Sequence, residues 1–216
     1  MKINYLGCLF EVKSLKQITF KLVLPLLFFC FTAFTQSYKL SVGSNNTTYL
    51  FTNSAGVNAS FFRPSSGLHL GLYRELSVTR VVLFDFGINY NQFNNEGDIQ
   101  NIAFSYSTDF IGFNLGVGPR LNLGKGIAIT PKINVSIAKM IQGNQFIQNR
   151  YVTLKGDQQF SPIFFMSGYS FELSKKVNSQ MDIFVKYQHL DSYKFGSSTL
   201  NIIPSTYSIG LSLKNN

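Results

Sequence analysis

Residues 127–138, IAITPKINVSIA, show the pattern that decides the fold. Every second residue is apolar: Ile127, Ile129, Pro131, Ile133, Val135 and Ile137. The residues between them are small or polar: Ala128, Thr130, Lys132, Asn134, Ser136 and Ala138. Because successive side chains of a β-strand point to opposite faces, this stretch predicts a strand with one apolar face and one small, polar face.

The same alternation recurs through most of the chain after residue 36 and predicts eight strands. We place them at 38–44 (with a continuation to 51), 67–75, 80–91, 110–123, 127–140, 163–174, 181–190 and 205–214. A tilted strand needs about 9–11 residues to cross a membrane, and single-chain outer-membrane barrels have an even number of strands. The pattern therefore predicts an all-β fold, an eight-stranded up-and-down antiparallel transmembrane β-barrel over residues 36–216.

The predicted connections alternate in length. They are short at 76–79, 124–126 and 175–180, and long at 52–66, 92–109, 141–162 and 191–204. Outer-membrane barrels have short periplasmic turns and longer outer loops. We therefore expect a cell outer-membrane location with both termini of the barrel in the periplasm.

A soluble barrel of the lipocalin type is the main alternative, because alternation alone fits both. The two differ in which face is apolar. Here the polar face consists mainly of Gly, Ser, Asn and Ala, which suit the crowded interior of an eight-stranded barrel. Trp is absent from the chain, whereas a lipocalin is expected to have a Gly-x-Trp sequence near its first strand. These features favour the membrane barrel over a soluble periplasmic binding barrel.

The N-terminal residues 1–35 are typical of a cleavable signal peptide. Residues 22–34, LVLPLLFFCFTAF, form an apolar run preceded by lysines, which is too short to span a bilayer as a helix. We expect cleavage after Thr35, and a translation start near Leu15 would give a more compact leader. Both cysteines, Cys8 and Cys30, lie in this segment, so the mature chain offers no thiolate for a disulfide or a metal.

Composition excludes some functional classes. Charged residues make up 13% of the chain and its formal net charge is +9, with the basic residues scattered singly. No helix-turn-helix pattern, zinc spacing or basic stripe favours a nucleic-acid partner. We find no glycine-rich phosphate loop or metal-ligand cluster in the sequence, and we expect no cofactor.

Three parts of the sequence resemble a known group of barrels: the leader ending Thr35-Gln36, the stretch 113–120 (FNLGVGPR), and 72–77 (LYRELS) descending into a turn. The chain is similar to the small outer-membrane β-barrel family of the Bacteroidota, the PorT-like relatives of the OmpA-type barrel. This resemblance implies an outer-membrane location and no catalytic residue. The chain ends Leu213-Lys214-Asn215-Asn216, whereas such barrels commonly end on an aromatic residue.

Charged residues on the predicted inward face are the candidate site. They are Lys39, Glu75, Asp85, Arg120, Lys132, Glu172, Asp182 and Lys186. Because buried single charges are costly, we expect them to pair inside the barrel. Asp85 and Arg120 fall on neighbouring strands, and Lys132 and Glu172 extend the network. We interpret Asp85, Arg120, Lys132, Glu172, Asp182 and Lys186 as a structural charge network; a gate or proton path is the functional alternative.

An enzyme is not expected. The two histidines, His69 and His189, lie on strands that are not neighbours, although Asp191 and Ser192 follow His189. We therefore predict a barrel with a closed lumen and a structural, adhesive or protein-interaction role. Its expected partners are outer-membrane lipid and other envelope proteins contacting the outer loops 92–109 and 141–162. The alternatives are an accessory part of a secretion or barrel-assembly complex, or a narrow channel.

Overall fold

The computed structural model describes residues 36–52, 62–79, 81–99, 102–148, 150–160, 163–193 and 199–214. The predicted leader, 1–35, lies outside these residues. Among the described residues, no helix has both the length and the apolar character needed to cross a bilayer.

Ten strands make up the described fold. They are β1 (Gln36–Phe51), β2 (Phe62–Ser77), β3 (Val82–Ile99), β4 (Ile102–Pro119), β5 (Leu121–Gly124), β6 (Ile127–Ile147), β7 (Arg150–Thr153), β8 (Phe164–Lys176), β9 (Met181–Tyr193) and β10 (Leu200–Lys214). β5 follows β4 after Arg120, and together they correspond to the predicted strand 110–123. β7 is a short strand that pairs with the end of β6.

The eight long strands form a closed antiparallel ring. Its order is β1–β2–β3–β4–β6–β8–β9–β10, and pairing of β10 with β1 closes it. This confirms the predicted eight-stranded up-and-down barrel. We call the end that carries the short turns β2–β3, β5–β6 and β8–β9 the turn end, and the opposite end the loop end.

The strand register fixes the tilt of the barrel. One path of paired residues leads from Val42 through β2, β3 and β4 to Lys139 of β6. The other leads from Val42 through β10, β9 and β8 to Ile129 of the same strand. The ring therefore closes with a stagger of ten residues. With about 3.3 Å per residue and about 4.8 Å between strands, this stagger tilts the strands by about 40°, as in other barrels.

The two faces of the ring have opposite character. Exposed apolar side chains include Leu40 and Val42 of β1, Leu68, Leu70 and Leu72 of β2, Ile111, Phe113, Leu115 and Val117 of β4, Ile133, Val135 and Ile137 of β6, Phe171 and Leu173 of β8, Ile183 and Val185 of β9, and Ile209 and Leu211 of β10. Charged and amide side chains are buried inside. This arrangement is the reverse of a soluble barrel and matches a wall surrounded by lipid.

The strands extend further towards the loop end than the sequence indicates. The predicted loop 92–109 is mostly strand, since β3 continues to Ile99 and β4 starts at Ile102. Likewise, β6 continues to Ile147 and β7 occupies part of the predicted loop 141–162. The expected loop bounds are therefore wrong. The apolar alternation stops at Tyr90 on β3, because the outward residues beyond it are polar while the backbone pairing continues.

Candidate functional site

A charge network fills the lumen in the half nearer the turn end. Lys132, whose side chain is fully buried, lies at its centre. Its Nζ donates to Asp85 Oδ2 at 2.5 Å and to Glu75 Oε2 at 3.2 Å, and lies 3.6 Å from Glu172 Oε2. One ammonium group thus contacts carboxylates from β2, β3 and β8.

A glycine makes the contact between Asp85 and Lys132 possible. Asp85 of β3 is in register with Gly116 of β4, which in turn is in register with Asn134 of β6. A Cβ atom on Gly116 would lie 2.2 Å from Asp85 Oδ1 and 2.8 Å from Asn134 Oδ1. Because Gly116 has no side chain, the Asp85 carboxylate extends across β4 to the lysine on the next strand.

Two further lysines balance the carboxylates. Lys39 of β1 donates to Glu75 and, at 2.6 Å, to Glu172 Oε1. Lys186 of β9 lies over the ring of Tyr73, 4.9 Å from its centroid, a cation–π contact. Among the described residues Lys186 has no carboxylate within ion-pair distance. Three ammonium groups and three carboxylates therefore make the buried network electrically neutral.

The predicted pairing of Asp85 with Arg120 is wrong. Arg120 lies beyond the end of β4 at the turn end, partly exposed, and its Nη2 donates to Asp182 Oδ2 at 3.3 Å. Lys214 of β10 donates to Asp182 Oδ1 at 2.9 Å. The predicted residues thus form two groups. Asp85, Lys132, Glu172 and Lys186 lie in the lumen with Lys39 and Glu75, while Arg120 and Asp182 form a separate ion pair at the rim.

The three lumen carboxylates are close enough together to suggest a metal site. One oxygen from each of Glu75, Asp85 and Glu172 lies within 4.8 Å of the others. However, the ammonium groups of Lys39 and Lys132 already bind these oxygens. A divalent cation would have to displace both ammonium groups, so the chemistry of the cluster is that of a neutral ion-pair network.

A layer of amide and hydroxyl side chains lies above the charges. Gln188 Nε2 of β9 donates to Asn114 Oδ1 of β4 at 3.1 Å, a hydrogen bond that crosses the lumen. Asn45 accepts a hydrogen bond from Thr206 at 2.6 Å and donates to Asn91 Oδ1 at 3.2 Å. These contacts link β1, β3 and β10, so polar side chains span the barrel at this level.

An aromatic core closes the lumen at the loop end. Its buried members are Tyr49, Phe93, Phe110, Ala138, Leu154, Phe160, Phe164, Met166, Leu190, Leu200 and Ile202. Leu154 and Phe160 belong to the segment after β7, which folds inwards onto the strands. The Tyr49 hydroxyl donates to the Phe93 carbonyl oxygen at 3.0 Å. The lumen is therefore filled at each of the three levels.

The aromatic core was not anticipated, although the sequence contains a signal for it. On β3 the inward positions run Asn89, Asn91, Phe93 and Asn95, so an aromatic residue interrupts a polar series. On β4 the inward residue Phe110 similarly precedes the small and polar residues Gly112 and Asn114. An inward aromatic among polar residues marks the level where the lumen is closed by apolar packing.

The two histidines do not form a shared site. His69 is buried in the lumen, where its Nδ1 lies 2.7 Å from Asn91 Oδ1 and its Nε2 lies 3.3 Å from Ser41 Oγ. His189 lies on the outward face of β9, in phase with Ile183 and Val185, and its ring lies 5.5 Å from that of Tyr169, an exposed outer-wall residue. The wall of the barrel thus separates their rings.

The most exposed described aromatic residue lies on the hairpin of β6 and β7. Tyr151 is 80% exposed, and its ring lies 5.0 Å from that of Phe146 on the paired strand. Val152 beside it is also exposed. Within the described residues β7 pairs with β6 alone, so its other edge offers backbone groups for a further strand.

Comparison of the sequence with protein-family models finds no match, and comparison with curated proteins finds none. The structure is similar to Neisserial surface protein A, with 11% identity, coverage of 83% of this chain and 97% of that chain, and a TM-score of 0.51. A major outer membrane protein from Thermus thermophilus has 10% identity, coverage of 82% and 99%, and a TM-score of 0.49. OprG from Pseudomonas aeruginosa has 12% identity, coverage of 85% of this chain and 97% of that chain, and a TM-score of 0.46. The first of these likenesses supports the fold, that of a small outer-membrane β-barrel.

Proposed function

We propose that this chain is an outer-membrane β-barrel that works as a structural, adhesive or protein-interaction component, through what its loop end presents to the surroundings. The observation that carries this proposal is the combination of a filled lumen with an exposed hairpin at one end. The described side chains that fill the lumen at three levels disfavour passage of a solute. Of the two ends, the loop end presents the exposed hairpin of β6 and β7 for contact with another macromolecule.

The membrane assignment within this proposal rests on the outer wall. In a closed ring each strand pairs along both edges, and the wall presents aliphatic side chains to its surroundings. Closed barrels with short turns at one end have those turns in the periplasm. We therefore assign the turn end and both barrel termini to the periplasm. The proposed membership of the PorT-like barrels of the Bacteroidota rests on the leader ending Thr35-Gln36 and on the stretches 72–77 and 113–120.

The hairpin of β6 and β7 is the proposed contact surface. An exposed strand edge binds an extended segment of a partner through backbone hydrogen bonds, and neighbouring side chains supply specificity. Tyr151 and Val152 are apolar groups at this edge, and Tyr is a common anchor in protein interfaces. The aromatic core beneath the hairpin holds the neighbouring strands in place, which lowers the entropic cost of binding.

Neither catalysis nor transport is part of the proposal. The carboxylates of the lumen bind Lys39 and Lys132, Lys186 lies over the Tyr73 ring, and the histidines lie on different sides of the wall. The accessory role in a secretion or barrel-assembly complex rests on the family resemblance alone. The narrow channel is disfavoured by the hydrogen bond that Gln188 and Asn114 form across the lumen.

Site-specific photocrosslinking in intact cells tests the proposal. A photoreactive phenylalanine analogue replaces Tyr151 in one variant and the lipid-facing Ile133, which is 70% exposed, in a control variant. We expect a discrete adduct with another envelope macromolecule at position 151 and none at position 133. Absence of an adduct at position 151, or the same adducts at both positions, would contradict a contact role for the hairpin.

A further inference from the structure

The outer wall formed by β6, β8, β9, β10 and β1 has a shallow apolar groove at the turn end. Its volume is about 760 Å³, and its exposed lining includes Leu40, Val42, Leu173, Ile183, Val185 and Ile209. A second groove of about 860 Å³ shares Val42, Leu173 and Ile209 with it and extends to Phe171 and Tyr207. Together they form a continuous apolar track along β9.

Lysines gather where this track reaches the turn end. Lys175 lines the groove and lies in register with Ile127 on one side and Ile183 on the other. Its Nζ donates to the carbonyl oxygen of Lys125 at 2.6 Å, which holds it against the β5–β6 turn. The backbone nitrogen of Lys176 donates to the Gly126 carbonyl oxygen at 2.8 Å and fixes the next lysine at the same turn.

These three lysines are exposed and uncompensated. Among the described residues, none of Lys125, Lys175 and Lys176 has a carboxylate within the 4.0 Å of an ion pair. Asp182 is in register with Lys176, but it already pairs with Arg120 and Lys214. Lys175 thus lies at the mouth of the apolar groove. Lys125 lies beside it in the β5–β6 turn, and Lys176 ends β8 on the face that it shares with Asp182. None of the three has an anion from the described residues.

We propose that this corner binds an anionic phospholipid, with its phosphate on Lys125, Lys175 and Lys176 and an acyl chain in the groove. Basic clusters next to membrane-spanning elements attract anionic headgroups, and the groove supplies the apolar surface that a tail covers. A zwitterionic lipid offers the same phosphate but carries a cationic group beside it, so its neutral headgroup compensates the lysines less than an anionic one. The net charge of +6 on residues 36–216 acts in the same direction.

A second copy of the chain is the competing occupant. In a two-fold dimer the same patch of both subunits meets, and in a membrane both turn ends lie on the same side. Pairing through this groove would therefore bring two clusters of three unpaired lysines together. Their mutual repulsion disfavours the dimer and favours a lipid that carries negative charge.

Native mass spectrometry of the detergent-purified mature protein tests the proposal. The probes are phosphatidylglycerol and phosphatidylcholine with identical acyl chains at equal concentrations. We expect wild type to retain phosphatidylglycerol in at least about tenfold preference, and the variant Lys125→Gln/Lys175→Gln/Lys176→Gln to lose most of it. A matched variant, Lys139→Gln/Arg150→Gln/Lys155→Gln, removes the same charge from the loop-end half of the barrel, and we expect it to keep the preference.

A second pair of variants tests the groove. Val185→Phe/Ile209→Phe places larger side chains in the track, and Leu72→Phe/Leu115→Phe does the same on the wall formed by β2 and β4. We expect only the variant Val185→Phe/Ile209→Phe to retain fewer lipids of both kinds. Gel migration of unboiled samples establishes that every variant is folded before its lipids are counted.

Four results would overturn the lipid site. The first is equal retention of the two lipids by wild type. The second and third are equal losses of lipid in the two lysine variants and equal losses of lipid in the two groove variants. The fourth is a lipid-free dimer that dissociates in Val185→Phe/Ile209→Phe. The hairpin proposal concerns the opposite end of the barrel. A negative crosslinking result at position 151 and a negative lipid result are therefore distinguishable.

Discussion

Removal of the central lysine of the lumen, in the variant Lys132→Met, should strongly destabilise the barrel. The side chain is fully buried, and its Nζ contacts Asp85 Oδ2 at 2.5 Å and Glu75 Oε2 at 3.2 Å. Lys39 still pairs with Glu75 and Glu172 in the variant, but Asp85 loses the one ion pair it has among the described residues. Because breaking a buried pair leaves an uncompensated charge, we expect a loss of about 3–5 kcal/mol in the free energy of unfolding.

Urea titration in detergent micelles measures this loss, with the unboiled folded band on a gel as the readout. At a slope of about 2 kcal/mol per molar urea, the midpoint should fall by about 2 M. The control is Lys139→Met on the same strand, which removes an exposed lysine and should change stability by less than about 1 kcal/mol.

A second substitution separates the charge effect from a packing effect. Adding Asp85→Asn to Lys132→Met removes the unpaired carboxylate and should recover at least about half of the loss, because the remaining lysines then balance Glu75 and Glu172. A loss below about 1 kcal/mol in Lys132→Met, or no recovery in the double variant, would refute the account of the charge network.

Three further predictions follow from the packing of the lumen and the closure of the ring. Gly116→Val should lower the free energy of unfolding by about 1–3 kcal/mol, since its Cβ would lie 2.2 Å from Asp85 Oδ1. The control Leu115→Val on the outer face should lower it less. Equal urea midpoints for the two variants would contradict this. Boiled and unboiled wild-type protein should migrate differently on a denaturing gel, and a single mobility would argue against a closed barrel. In planar bilayers, wild type and Leu154→Ser/Phe160→Ser should both show no conductance steps. The reason is that the amide layer and the charge network still fill the lumen below the aromatic core. Conductance steps in wild type would contradict a closed lumen.

The sequence predicts the eight strands of the ring and the faces of their side chains because both depend on local alternation. Ile133 and Val135 face outwards, and Lys132 and Asn134 face inwards, as the stretch 127–138 indicates. These positions need no knowledge of the partner strands. A period of two residues, sustained over a strand, is sufficient.

The pairing of charges could not be predicted in the same way, because it depends on register. Alternation gives the face of a residue but not its height along the barrel axis. Asp85 is in register with Gly116, and Arg120 lies four residues further along, roughly 13 Å away. The partner of Asp85 is therefore Lys132, two strands along the ring. Gly116 on the strand between them has no side chain that would block this contact.

The predicted strand ends at the loop end are wrong for a related reason. Beyond the lipid, outward residues no longer need to be apolar, so the alternation fades at Asn94 and Glu96 although β3 continues to Ile99. Hydrogen bonds between strands, which leave no trace in the side-chain pattern, sustain the barrel there. The inward aromatic residue Phe93 is the feature of the sequence that indicates that β3 continues beyond Tyr90.

The central claim is that the apolar face of the barrel contacts lipid, and single-tryptophan quenching tests it most directly. Wild type contains no Trp, so Ile133→Trp and Tyr151→Trp each introduce one reporter. In vesicles with brominated acyl chains, we expect strong quenching of Trp fluorescence in Ile133→Trp and little in Tyr151→Trp, which should instead be quenched by iodide in the buffer. Unquenched fluorescence in Ile133→Trp would mean that the apolar face points away from lipid, and the transmembrane barrel would be contradicted.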